Sequence, residues 1–241
     1  MAGNKKVPRI IVATKAGFCF GVRRAVRLVI DGIERNKKMC TLGSLIHNPQ
    51  VVRNLAERGV LIVDSVDDVP DGYTVVIRSH GVTFEELSKI KERNLDYIDA
   101  TCPFVKRAQD IVYKLRKKNY GILIVGDREH PEVKALLSYA GENGTVYPDL
   151  PENVEKVGVV VQTTQTLENF KRVVEDLKEK LGSISELRIF NTICKSTEER
   201  QREVIELSRI SDVVIVVGGK NSANTRRLFD IAKSMGVDAY H

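Results

Sequence analysis

This 241-residue chain has four cysteines, at positions 19, 40, 102 and 194, but no Cys-x-x-Cys pair. The spacing argues against a zinc ribbon, whose ligands come in local pairs, and against a disulfide framework. Long apolar runs are missing as well. The stretch Ile10-Ile-Val-Ala is far too short to cross a bilayer and is followed by Lys15 and Arg23. A cytoplasmic protein with no membrane partner is expected. No aromatic-studded basic strand and no cysteine-histidine finger spacing occur, so nucleic acid has no recognisable reader here. Flavin and nicotinamide motifs are absent, and no long linker interrupts the chain.

What is present is ordinary in bulk: 42% apolar and 29% charged residues, enough to bury one large core or several small ones. The net charge of +6 is mild. Basic residues alternate with acidic ones over 175–180 and 198–206, the pattern of a solvated, salt-bridged helix face. The excess positive charge suits an anionic substrate or an acidic protein partner.

The cysteines carry the strongest internal signal. Around Cys19 the chain reads Lys15-Ala-Gly-Phe-Cys-Phe-Gly-Val-Arg-Arg-Ala-Val, and the order Cys-x-x-Val-basic-Arg-Ala returns at Cys102 with Val105, Lys106, Arg107 and Ala108. An eroded third copy starts at Cys194, with Thr197 and Val204 at corresponding offsets. Spacings of 83 and 92 residues between 19, 102 and 194 are too long for a solenoid and fit three small α/β domains, expected over 1–97, 98–189 and 190–241. Four ordinary buried thiols are the plain alternative, and the repetition argues against it. A helix N-terminus lowers a thiol's pKa, so three thiols placed alike are expected to be ready thiolates for a metal. Cys40, inside the strand-like Met39-Cys-Thr-Leu, lacks that setting and is expected to be structural.

Short apolar runs alternate with amphipathic helical stretches. Strands are expected at 9–14, 38–42, 60–63, 74–78, 97–99, 121–125, 145–147, 157–161, 187–191 and 213–217, and helices at 85–92, 105–117, 167–181, 197–210 and 225–235. The alternation is that of parallel sheets with crossover helices. Polar clusters follow the strands: His47-Asn-Pro, Ser79-His-Gly, His130-Pro-Glu, Gln162-Thr-Thr and Asn221-Ser-Ala-Asn. In open parallel sheets ligands bind outside the carboxyl ends of strands, where helix N-termini offer N–H groups to anions. Three of the four histidines fall there. Simple capping by Glu132, Ser222 and Asn224 is the alternative to an acid/base pair of His130 with Glu132 and a phosphate site at 222–224.

Taken together, Ala16-Gly-Phe-Cys-Phe-Gly-Val-Arg-Arg-Ala, Ile46-His-Asn-Pro, Ser79-His-Gly-Val, Asp99-Ala-Thr-Cys-Pro, His130-Pro-Glu-Val, Gln162-Thr-Thr, Asn191-Thr-Ile-Cys and Gly218-Gly-Lys-Asn-Ser-Ala-Asn resemble the 4-hydroxy-3-methylbut-2-enyl diphosphate reductases, the LytB or IspH type. The resemblance implies a trefoil of three pseudo-threefold-related α/β domains around a 4Fe-4S cluster held by Cys19, Cys102 and Cys194, with one iron left open. It implies that His47, His80, Ser222, Ala223 and Asn224 hold a diphosphate, that His130 and Thr163 lie near the substrate hydroxyl, and that Glu132 supplies protons. Neutral donors and imidazolium together are expected to balance the diphosphate. Electrons would come from a ferredoxin or flavodoxin.

The chain departs from the family pattern twice. Ser222-Ala223-Asn224 stands where many relatives have Ser-Ser-Asn, leaving a backbone N–H in place of a hydroxyl. The chain stops at His241, where relatives continue, so an incomplete third domain with weakened activity is expected. Two other readings remain: another three-cysteine trefoil enzyme resembling quinolinate synthase, and a nonenzymatic metal-stabilised or RNA-binding protein.

Overall fold

The computed structural model describes residues 9–180 and 184–241. Two four-stranded, all-parallel sheets dominate it. The first is built from β1 (Met39–Leu42), β2 (Leu61–Val63), β3 (Thr74–Ile77) and β4 (Tyr97–Asp99), in the order β2-β1-β3-β4. The second is built from β5 (Gly121–Val125), β6 (Gly144–Val146), β7 (Lys156–Val161) and β8 (Glu186–Phe190), in the order β6-β5-β7-β8. Both have the same topology, the physical counterpart of the repeated cysteine motif. A third, two-stranded parallel sheet pairs β9 (Val213–Ile215) with β10 (Asp238–Tyr240).

Helices cover both faces of the large sheets, which is why their central strands are near-continuous apolar runs. In the first sheet, Met39 and Val76 pack with Ala25 and Val29 of α1 (Phe20–Glu34) and Leu55 of α2 (Pro49–Glu57). On the opposite face Cys40, Leu42, Val75 and Ile77 meet Ile90 of α3 (Phe84–Glu92), which begins with a capping box between Thr83 and Glu86. Cys40 therefore lies in a hydrophobic interior. In the second sheet, Ile122, Ile124 and Val160 pack under α4 (Pro103–Arg116) and α5 (Pro131–Ala140). Leu123, Val125, Val159 and Val161 pack under Phe170, Val173 and Leu177 of α6 (Leu167–Lys180). Each fully buried Ile or Leu here contributes about 1.5–3 kcal/mol. Two further helices, α7 (Lys195–Ile210) and α8 (Ala223–Ser234), flank the third sheet.

Several expected boundaries move. Residues 9–14 form no strand: they have no ladder partner among the described residues, and Ile10 and Val12 are 85% and 75% exposed. The strand expected at 213–217 ends at Ile215, beyond which Val217 is 90% exposed. The divisions expected after 97 and 189 fall within β4 and β8, whose ladders run on to Asp99 and Phe190. The expected helix end at Leu181 lies outside the described residues.

In both large sheets the chain leaves the two central strands in opposite lateral directions, β1 and β3 in one, β5 and β7 in the other. Such a switch point opens a crevice at the strands' carboxyl ends. His47 follows β1, His80 follows β3, His130 follows β5 and Thr163 follows β7.

Candidate active site

The two crevices face each other. The His47 and His80 rings lie tilted against each other with centroids 4.2 Å apart, and His130 from the second sheet meets them edge-on at 5.5 and 5.4 Å. Among their buried nitrogens, both of His47 and Nδ1 of His80 have no hydrogen-bond partner. Orphaned buried donors and acceptors are costly unless a ligand completes them. Burial lowers all three pKa values, and mutual repulsion adds to it for His80 and His130. His130 is brought down to about 4. Desolvation thus favours the neutral form of the three rings over the imidazolium.

His130 joins this trio to a proton-holding group. It caps α5, its Nδ1 accepting from the Glu132 N–H at 3.2 Å, so its own proton resides on Nε2. Glu132 is 1% exposed, and its two oxygens accept from the N–H and the hydroxyl of Thr163 at 2.6 and 2.7 Å. Burial pushes its pKa up to about 7 against the pull of the Thr163 bonds. A carboxyl half protonated near neutrality is poised as a general acid.

The three repeated cysteines are free thiols, and each is the N-cap of a helix: Cys19 of α1, Cys102 of α4, Cys194 of α7. They come together closely enough that Cys102 feels both other sulfurs and Cys194 feels Cys19 and Glu132. Gly21 permits the approach of α1 to α4, since a Cβ there would lie 2.5 Å from Cys102 Sγ. The expectation of ready thiolates needs correction. Burial raises Cys102 and Cys194, outweighing the hydrogen bonds at their helix N-termini, so a metal must displace the protons.

Donor spacing tests which metal group fits. Thiolates sharing one zinc would lie about 4 Å apart. Among the described residues, the only set of three ligand atoms that close is the histidine trio, within 4.8 Å, and the thiols are spread more widely. At least one pair of the mutually interacting thiols is therefore farther apart than 4.8 Å, wider than the ligands of a single zinc ion. Besides burial and mutual repulsion, the Arg78 guanidinium also lowers the three histidine pKa values, partly offset at His130 by the Asp127 carboxylate, and His130 itself caps the N-terminus of α5. That field favours an anion.

The loop before α8 closes the site from the third sheet. Gly219 passes so near the His47 carbonyl that a Cβ would lie 2.7 Å from its oxygen. Ser222 caps α8 by accepting from Thr225 N–H at 3.4 Å, and Ala223 and Asn224 form its first turn. Among the described residues no hydrogen bond joins Ser222, Ala223 or Asn224 to the histidines. Sequence reasoning overlooked Arg78, whose Nε donates to the Gly81 carbonyl at 3.2 Å. It also overlooked the Arg227–Asp127 ion pair, 3.0 Å, which ties α8 to the loop after β5. A basic residue at the end of a central strand was the available sign for Arg78; the ion pair leaves none.

Residues 10–241 match the family model described as LytB protein. A 4-hydroxy-3-methylbut-2-enyl diphosphate reductase of Pelobacter propionicus is 45% identical over 239 residues, covering 97% of this chain and 84% of the relative. One of Geobacter sulfurreducens is 44% identical over 241 residues, covering 96% and 83%. A solved structure of (E)-4-hydroxy-3-methyl-but-2-enyl diphosphate reductase, described as the terminal enzyme of the non-mevalonate pathway, superposes with TM-score 0.72 at 41% identity, over 96% of this chain and 84% of that one. The Plasmodium falciparum E-1-hydroxy-2-methyl-but-2-enyl-4-diphosphate reductase superposes with TM-score 0.86 at 28% identity, over 93% and 73%.

Proposed function

The chain belongs to the 4-hydroxy-3-methylbut-2-enyl diphosphate reductases of the LytB type, and from that premise we propose that it reductively removes the hydroxyl of (E)-4-hydroxy-3-methylbut-2-enyl diphosphate to give isopentenyl and dimethylallyl diphosphate, the last step of the non-mevalonate route. One C–O bond breaks, two electrons and two protons are consumed, and water leaves.

The family works through an iron–sulfur cluster. In this chain Cys19, Cys102 and Cys194 would hold it as a 4Fe-4S group, which when bound supplies electrons and an open Lewis-acidic iron. The rest falls to side chains. His47 and His80 bind the diphosphate, with Ser222, Asn224 and the backbone N–H of Ala223 completing its shell at the start of α8. His130, donating from Nε2, and the Thr163 hydroxyl orient the substrate's alcohol end. Glu132 delivers a proton to the departing oxygen by way of Thr163, and the second proton goes to carbon at either end of the allylic unit. Electrons reach the protein from an acidic carrier of the ferredoxin or flavodoxin kind in the cytoplasm, met by its net charge of +6. Among the described residues no helix is long and apolar enough to cross a membrane.

The observation that carries this reading is His130. One ring joins the neutral anion-seeking trio to the backbone of the buried acid Glu132, so binding and protonation share one wall. The test is an anaerobic single turnover with chemically reduced protein and the hydroxylated allylic diphosphate. Formation of both five-carbon diphosphates supports the reading. A fully loaded, reduced protein that leaves the substrate unconsumed contradicts it.

A further inference from the structure

The segment leading into Cys19 is exposed from Thr14 to Phe18, yet it is gripped from far along the chain. Glu203 accepts from Thr14 N–H at 2.6 Å and Thr14 hydroxyl at 2.7 Å through Oε1, and from Lys15 N–H at 2.9 Å through Oε2. Arg200 donates from Nε to the Lys15 carbonyl at 3.1 Å and from Nη2 to the Gly17 carbonyl at 2.5 Å. Both residues lie on α7, the helix that Cys194 caps. At a spacing of three residues they share one helix face, a cation for the loop's carbonyls beside an anion for its N–H groups.

The other two cysteines are anchored differently. Cys102 N–H donates to the Ser79 carbonyl at 2.9 Å, and Cys194 N–H to the Thr163 carbonyl at 3.1 Å. Each is thus pinned to the end of a central strand. Among the described residues Cys19 has no such backbone bond, and no strand precedes it. Burial opposes the Glu203 charge, but the bonds from Thr14 and Lys15 outweigh it and hold the carboxyl below its usual range. The grip is therefore charge-assisted at both ends.

We infer that Arg200 and Glu203 are positioning residues that lock the Cys19 loop onto the Cys194 helix, setting the separation of these two sulfurs and so governing how tightly the cluster is retained. The inference rests on the assignment of Cys19 and Cys194 as cluster ligands. Partners bonded to a metal ligand itself change metal affinity by about 10- to 100-fold when removed; Arg200 and Glu203 act one step further out, through Thr14, Lys15 and Gly17, so the lower end of that range is expected.

The experiment uses the anaerobically loaded protein. Glu203→Ala and Arg200→Ala should release iron to a ferrous chelator about 10-fold faster than the parent. Amide exchange of residues 14–19 should accelerate in parallel. Glu203→Gln and Arg200→Lys, which each keep part of the grip, should fall between, and Glu206→Gln, at an exposed position on the same helix, should match the parent. Faster loop exchange with unchanged iron release would overturn the inference, as would unchanged exchange. Cys19→Ala, which leaves no donor atom, separates the two readings: iron lost there while Glu203→Ala and Arg200→Ala release normally sinks the inference alone. Iron fully retained in Cys19→Ala sinks the ligand assignment and the inference with it.

Discussion

Replacing Glu132 with Gln removes a titratable group while keeping its shape and its place between His130 and Thr163. The carboxyl's pKa moves from 4.5 to about 7 because burial penalises the ionised form, a cost of about 3 kcal/mol once the group is fully charged. A folded-state pKa above the unfolded one means that the native protein holds the extra proton between these two values. The contribution to stability is complete below about 4.5 and is lost as pH rises through about 7. The amide carries no such dependence, and the Thr163 hydroxyl can rotate to accept from it. Urea unfolding of the two proteins under argon should therefore give similar stabilities near pH 5. By pH 8.5 the Gln variant should be the more stable by up to about 3 kcal/mol. Turnover should move the other way, falling by about 10²- to 10⁴-fold with the loss of a general acid. Parallel stability curves across this pH range would refute the burial argument. Undiminished turnover would refute the role of Glu132 as proton donor.

Diphosphate binding should take up protons, because the trio is neutral when free and a bound anion raises its pKa values; affinity for inorganic diphosphate then rises as pH falls from neutrality. Calorimetry in two buffers of different ionisation enthalpy reads this directly, and net proton release would contradict it. Thr163→Val deletes both the hydroxyl relay and a hydrogen bond that favours the charged form of Glu132, so kcat should drop and the basic limb of the residual turnover should move to higher pH; a limb that stays in place would be inconsistent with this coupling. Gly21→Ala would ordinarily favour a helix by about 1 kcal/mol. Here the added Cβ meets Cys102 Sγ at 2.5 Å, so iron content after reconstitution should drop, and full loading would show that the α1–α4 approach is looser than described.

Local patterns carried much of this architecture. β4 and β5 fall on the residues that periodicity and turn signals pick out, and the cysteine repeat foreshadows the shared strand order of the two large sheets. Strand-end histidines were visible because parallel sheets place ligands there. Residues 9–14 misled because an apolar run says nothing about whether a ladder partner exists. The charge states misled for a related reason. Helix N-termini can be read from Cys102 and Cys194, but the burial that raises their pKa values depends on the packing of whole units. Glu203 and Arg200 look like two more charges on a solvated helix, and their bonds to residues 183 to 189 positions away have no local signature.

Three sulfurs sharing one inorganic group, with the fourth left in the core, make a difference that iron analysis reads directly. Iron and sulfide should be measured anaerobically in the parent and in Cys19→Ala, Cys102→Ala, Cys194→Ala and Cys40→Ala. About four irons per chain are expected in the parent and in Cys40→Ala, with marked loss in the other three. Retention of iron in any of those three, or loss confined to Cys40→Ala, would contradict that sharing.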